Sequence, residues 1–234
     1  MVRLHVFAEG QTEQTFADTV LKPHLAQYNV LMQKPVLIAH AKKKGWIHRG
    51  GGRAYLPMKN DIMRRLKEDS SQDAFFTTMI DLYAIHAEFP GLNDAEKYRS
   101  DPEQRVTFLE QRFADDIGDH RFIPHIQLHE FEAYLFAEPD CFRYVYDDCA
   151  RQIKNLRSTA EDYETPEMIN DGQHSAPSKR IVNQFPAYER AKSVEGPQLA
   201  ERIGLPTIRA KCRHFAAWLL RLEELGTHSL NFLS

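Results

Sequence analysis

Apolar runs recur four times between Arg3 and Leu128, and a helix-patterned or polar segment separates each from the next. Arg3–Glu9, Val36–Ala41, Ala74–Tyr83 and Phe122–Leu128 are short and apolar, which suits strands. Ala74–Tyr83 (AFFTTMIDLY) is rich in aromatic and β-branched residues and reads as a strand buried on both faces. Between the runs, Glu13–Gln27 spaces Phe16, Val20, Leu21 and Leu25 near a helical period. Pro57–Glu68 reads as a second helix, and Pro102–Asp116 as a third with Val106, Leu109 and Phe113 on one face. Ala84–Pro102 carries Pro90-Gly91 and reads as loop. Strands that alternate with helices in this way predict an α/β fold. Its mostly parallel four-stranded sheet has helices on both faces, joined by right-handed crossovers.

The second half has a different pattern. Glu130–Ala137 and Pro139–Tyr146 read as helical, and Thr159–Pro177 as a polar, loop-rich stretch with Pro166 and Gly172 as breakers. Ser178–Gln184 and Pro197–Ile203 are short helix candidates. Pro206–Leu225 reads as the longest helix, its core face made by Phe215, Trp218, Leu219 and Leu222. The expected organisation is a core over 1–137 and a helical appendage over 138–234 packed on it, with no internal repeat.

Chemistry-bearing residues gather at the expected strand ends. Strand one runs into Glu9-Gly10, and the next helix opens with Thr12 as its expected N-cap and Glu13 beside the helix dipole. Gly10 permits a sharp turn, and Glu9 falls at the carboxyl end of the strand, where open α/β sheets place ligands. A solvated strand-to-helix turn would give the same stretch. Asp81 closes strand three, and His129, Glu130 and Glu132 follow strand four. Carboxylates brought together repel unless a cation lies between them. Oxygen ligands of this kind suit Mg²⁺ or Mn²⁺. For each acid alone, a first-turn position in a helix is the competing explanation, and Glu130 and Glu132 fit it well. Glu132 is expected to meet a helix N-terminus or a basic residue such as Arg180, with Glu130 as the ligand and His129 as its neighbour or general base. HEFEA departs from a zinc-protease motif because Ala133 replaces the second histidine.

Two basic stretches are candidates for phosphate contact. The loop Lys42–Arg53 combines Lys42, Lys43, Lys44, Arg49 and Arg53 with Trp46 and the glycines 50–52. The other stretch is Ser178-Lys179-Arg180. Both would also serve as solvated surface. The net charge of −3 offers no global basic field, so nucleic acid would have to be held by such a local patch. Cys141, Cys149 and Cys212 form no disulfide framework, and Cys212 with His214 reads as core and not as zinc ligands. No apolar run is long enough for a bilayer, and the expected location is the cytoplasm.

These residues resemble a known pattern. A strand ending in Glu-Gly before a helix, with a later strand ending in an acid, is similar to the Toprim fold of topoisomerases, primases and OLD-type nucleases. The resemblance covers about the first half of the chain. Over nearly its full length the chain resembles a bacterial domain-of-unknown-function family with a Toprim-like core, through EGQTE (Glu9–Glu13), TTMIDLY (Thr77–Tyr83), RFIPHIQLHEFEAYLF (Arg121–Phe136), APSKRI (Ala176–Ile181) and IGL (Ile203–Leu205). The resemblance implies that Glu9 acts as a general acid or base or as a metal ligand, and that Asp81 is the first acid of a DxD pair. Tyr83 stands where the second acid belongs, so either Glu130 or Glu132 substitutes, or the site binds metal weakly, or it is no longer catalytic.

The expectation is a Mg²⁺-dependent (or Mn²⁺-dependent) nuclease for DNA or RNA. Glu9, Asp81, Glu130 and Glu132 would hold the metal, and Glu9, Asp81, His129 and Lys179 would act on the phosphodiester. Lys43, Lys44, Arg49, Arg53 and Arg180 would bind substrate. The resemblance also implies a role in bacterial defence with an ATPase partner, and a homodimer is the candidate assembly. The rivals are a regulatory subunit that kept the fold without the chemistry, and a nucleotidyl transferase.

Overall fold

The computed structural model describes residues 1–38, 55–169, 172 and 175–228. The loop Lys42–Arg53, with Lys43, Lys44, Arg49 and Arg53, lies outside the described residues, as does the end of expected strand two. In chain order the strands are β1 (Val2–Ala8), β2 (Val30–Met32), β3 (Val36–Leu37), β4 (Ala74–Asp81), β5 (Phe122–Ile123) and β6 (Ile126–Gln127). The helices are α1 (Gln11–Phe16), α2 (Lys22–Ala26), α3 (Tyr55–Glu68), α4 (Leu92–Ala95), α5 (Pro102–Ile117), α6 (Ala150–Glu161), α7 (Pro177–Gln184), α8 (Tyr188–Ile203), α9 (Leu205–Lys211) and α10 (Arg213–His228). A π-helical turn, Ala17–Leu21, joins α1 to α2, and wholly buried Phe131–Ala137 forms a 3₁₀ turn.

All strand pairings among the described residues are parallel, in the order β2-β1-β4-β5. β3 continues the β2 edge along β1, and β6 continues β5 along β4. The expected α/β fold is therefore present, with four strand positions across the sheet and two of them broken. Pro124-His125 interrupts the outer strand. There the Thr78 hydroxyl replaces the ladder, with 3.0 Å contacts to both the N–H and the carbonyl of His125.

Alternation along β1 and β4 sends side chains to two separate cores. Phe7, Ala74, Phe76 and Ile80 meet the apolar stripes of α3 and α5 on one face. Leu4, Val6 and Met79 meet Phe16, Leu21 and most of the second half of the chain on the other. There the 3₁₀ turn is the centre: Phe131 stands edge-on to Phe16, and Tyr134 edge-on to Phe215. Residues on both sides of position 137 thus share one core.

Trp218 of α10 reaches the sheet itself. Its indole N–H donates to the Thr77 hydroxyl at 2.9 Å, and that hydroxyl donates to the Ile123 carbonyl at 2.6 Å. Thr77→Val keeps the shape and removes both bonds from a fully buried place. The expected cost is about 1–3 kcal/mol, or about 2–4 °C of Tm per kcal/mol at this chain length. A thermal melt checks it, and an unchanged Tm would show that the pair holds nothing in place.

Several helix boundaries differ from expectation. The first helix begins at Gln11 with Gly10 as N-cap, so Thr12 lies inside it. Helix α8 runs straight through Pro197, where the sequence predicts a helix start. Gly196 is there for close approach: a Cβ would come within 3.0 Å of the Tyr188 hydroxyl and 3.3 Å of Thr12. The expected long helix over 206–225 is two helices, because Cys212 is extended (φ −114°, ψ 94°). Helix α6 had no counterpart in the expectation.

Candidate functional site

Strands β1 and β4 are neighbours in register, Ala8 facing Met79, so their carboxyl ends emerge side by side. Backbone N–H groups hold the acids that follow. The Asp81 N–H donates to Glu9 Oε2 at 2.8 Å, and the Phe131 N–H donates to Asp81 Oδ1 at 3.1 Å. The Gly10 N–H donates to Glu13 Oε2 at 2.7 Å, which is half of a capping box. The Ser178 N–H, at the start of α7, donates to Glu130 Oε2 at 2.9 Å. The Tyr188 hydroxyl lies 3.5 Å from Glu132 Oε1.

His129 makes the turn that delivers the last two acids. Its φ is +62°, a left-handed conformation uncommon for a residue with a side chain. It redirects the chain from β6 into the 3₁₀ turn, so that Glu130 and Glu132 come back over the sheet. The His129 carbonyl accepts the Tyr83 N–H at 3.2 Å, which ties this turn to the end of β4. His129 itself is buried.

Electrostatics describe a crowded site. Glu13, Glu130 and Glu132 are buried, while Glu9 and Asp81 keep part of their surface open. Desolvation raises the Asp81 carboxyl well above the usual range, and Glu9, Glu13, Glu132 and Glu130 each push it further. Burial first, then Glu130, pushes Glu132 up to about 7, with Lys192 pulling the other way. Like charges at this density raise the cost of ionising each further carboxyl, a cost that a bound cation would relieve. The donors are oxygens only, so they fit Mg²⁺ or Mn²⁺ better than a softer ion. Glu9, Asp81 and His86 also line a small pocket of about 20 Å³, room for roughly one water. A larger cavity of about 530 Å³ lies away from the acids, lined by Glu138, Arg157, Tyr163, Lys211 and Arg213 among others. Its arginines are paired with acids, Arg157 with Asp140 and Arg213 with Glu164.

The structure thus brings Glu9, Glu130 and Glu132 within electrostatic reach of Asp81. Lys179 and Arg180 stand apart. Lys179 is exposed, 3.8 Å from Glu189 Oε1. Arg180 donates to the Ser175 carbonyl and the Tyr163 hydroxyl, so the expected pairing with Glu132 is not made. The helix N-terminus expected to bind Glu132 is instead met by Glu130. Tyr83, at the position of the second DxD acid, is exposed.

Sequence reasoning missed three residues here. Glu13 had been read as a dipole complement, yet its four-residue spacing from Glu9 across a glycine turn returns it to the same place. Lys192 acts on Glu132 from helix α8, and His86 lines the pocket; neither carries a local signal in the sequence.

A family model described as Domain of unknown function (DUF4276) matches residues 8–223. No curated protein matches the sequence. Among solved structures, the C-terminal region of the Burkholderia pseudomallei OLD protein is similar at 14% identity and a TM-score of 0.46, over 97% of this chain and 99% of that one.

Proposed function

The chain belongs to the family described as Domain of unknown function (DUF4276), and from its carboxylate cluster we propose a Mg²⁺-dependent nuclease that cleaves phosphodiester bonds in DNA or RNA. One observation carries the reading: five carboxylates, Glu9, Glu13, Asp81, Glu130 and Glu132, converge where strands β1, β4 and β6 end. The Toprim resemblance of EGQTE and TTMIDLY supports the same chemistry. Glu9 and Asp81, the most open of the five, are the ligands we assign first, with Glu13 and Glu130 completing the set. When bound, the cation neutralises the phosphate and lowers the pKa of an attacking water.

The chain's own groups supply the rest. Backbone N–H bonds to Glu9, Glu13, Asp81 and Glu130 fix the direction of each carboxylate, so the cluster is set before substrate arrives. Glu132, titrating near neutrality, is suited to hold or release a proton at its carboxyl oxygen. His86 lines the small pocket beside Glu9 and Asp81, and Lys192 of α8 acts on Glu132. An ATPase partner in a defence system is the setting that the sequence resemblance implies.

Exposed Tyr83 in place of a second DxD acid favours the other reading, a regulatory subunit without catalysis. Incubation with single- and double-stranded DNA and RNA separates them. Cleavage supported by Mg²⁺ or Mn²⁺ and abolished by EDTA is the expected result. Intact substrate in every case, with a partner ATPase also present, would favour the regulatory subunit.

A further inference from the structure

The outer strand carries a second cluster that the proposed nuclease chemistry does not use. His125 sits in the break between β5 and β6, fully buried, and neither ring nitrogen has a hydrogen-bond partner among the described residues. Buried imidazoles without partners are rare, because each lost bond leaves a desolvation cost uncompensated. The ring stacks on Trp218 at 4.2 Å and lies 5.0 Å from the ring of His214. Glu110 of α5 completes the group. Its Oε1 lies 3.0 Å from His214 Nε2 and 3.6 Å from His125 Nδ1, and it accepts the Ile126 N–H at 2.8 Å.

We propose that Glu110, His125 and His214 form a zinc-class metal site that pins helices α5 and α10 to the outer strand of the sheet. One donor atom from each residue lies within 4.8 Å of the other two. Ligands on a four-coordinate Zn²⁺ with bonds near 2.0–2.1 Å stand about 3.3–3.5 Å apart; the two separations from Glu110 Oε1, 3.0 and 3.6 Å, straddle that value, and the two histidine donors, within 4.8 Å of each other, would close on the ion. Two imidazoles and one carboxylate favour Zn²⁺, Co²⁺ or Ni²⁺ over Mg²⁺, which separates this site from the all-oxygen cluster. The neighbouring polar groups fit as well. A metal on His125 Nδ1 fixes the ring proton on Nε2. The Gln127 side chain reaches the same ring, and its Oε1 is also without a partner. That Nε2–H is the donor it lacks, an arrangement typical of metal-bound histidine.

One adjustment is needed. Rings inclined by only 20° present nearly parallel lone pairs, so His214 must swing out of the stack to share an ion. It is the outer ring, 12% exposed at its side chain, and the move exchanges the present contact of its Nε2 with the Ile126 carbonyl (3.2 Å) for the ion, while its backbone N–H stays on Glu167.

The test uses the full chain, stripped of metal and kept in millimolar Mg²⁺ to fill the acid cluster. ZnCl₂ is titrated in by calorimetry, and the Co²⁺ form is read by visible absorption. A single equivalent of Zn²⁺ and visible bands of a four-coordinate nitrogen–oxygen site are expected. Both should survive Asp81→Asn. His214→Gln should weaken Zn²⁺ binding by about 100-fold or more, since even outer-shell partners cost 10–100-fold. His125→Phe, which keeps the stack on Trp218, should do the same. Wild-type protein that takes up no Zn²⁺ under these conditions overturns the proposal. So does unchanged affinity in either histidine variant that melts like wild type.

Discussion

Asp81→Asn is expected to lower Mg²⁺-dependent cleavage steeply and, at the same time, to make the metal-free protein more stable. The two effects share one cause. Asp81 is desolvated and faces four other carboxyl groups, so its charge is unfavourable until a cation arrives. Asparagine keeps the shape, and its carbonyl can still accept the Phe131 N–H. It removes the charge that repels Glu9 and that would bind the ion. Relief of that repulsion should add about 1–2 kcal/mol to the unfolding free energy in EDTA, the usual gain when a strained functional group is neutralised. The loss of a charged ligand should lower cleavage on the order of 10²-fold or more. Urea unfolding and a nuclease assay on one preparation read both. A variant that cuts as well as the parent removes Asp81 from the chemistry. A variant less stable than the parent means that the carboxylate was held by attraction.

Metal-free protein should lose stability between about pH 4.5 and pH 7 through Glu132. The Glu132 carboxyl titrates near 7 in the folded chain, against 4.5 as its ordinary value. Below the lower value both states are protonated and nothing is lost. As pH rises, the unfolded chain ionises first, so the folded state binds the extra proton and stability falls. The fall ends once the folded carboxyl ionises too. The difference amounts to ~3 kcal/mol, at 1.36 kcal/mol per pH unit between the two titrations. Other groups titrate in the same range, so the measurement compares the parent with Glu132→Gln at pH 5 and pH 8 in EDTA. Only the parent should show the excess loss, and saturating Mg²⁺ should suppress it. Equal slopes in the two proteins would place Glu132 in a solvated setting.

The α/β order was legible because β1 and β4 are unbroken, mostly apolar runs and each early helix shows its own stripe, whereas the short edge strand β2 carries no such run and was not expected. Glu9 and Asp81 were legible for the same reason: an acid directly after such a run must lie at the strand's end, and neighbouring parallel strands end together. Local reading failed where the chain is held by distant parts. Pro197 punctuates a helix on its own, yet α8 is packed on α1 and continues through it. Lys179, just after a proline, lies exposed beside Glu189, whereas Lys192 of α8 acts on Glu132. Glu110 and His214 are 104 positions apart, so no spacing rule could have joined them to His125. Cys212 was rightly read as core, while His214, two residues on, faces a different neighbourhood.

The buried turn Phe131–Ala137 has a bearing on the order in which the molecule is assembled. It lies between a helix from the start of the chain and one from its far end, Phe16 on one side and Phe215 on the other. Such long-range contacts form late, since the intervening loop must close before they reward it. A nascent chain that has left the ribosome only as far as α6 therefore carries a sticky, unpacked midsection, the kind of surface that chaperones hold. Glu130 and Glu132 ride on that midsection, and their partners Ser178 and Tyr188 come later still. Glu130 and Glu132 therefore reach their final places beside Asp81 only once translation has passed α8.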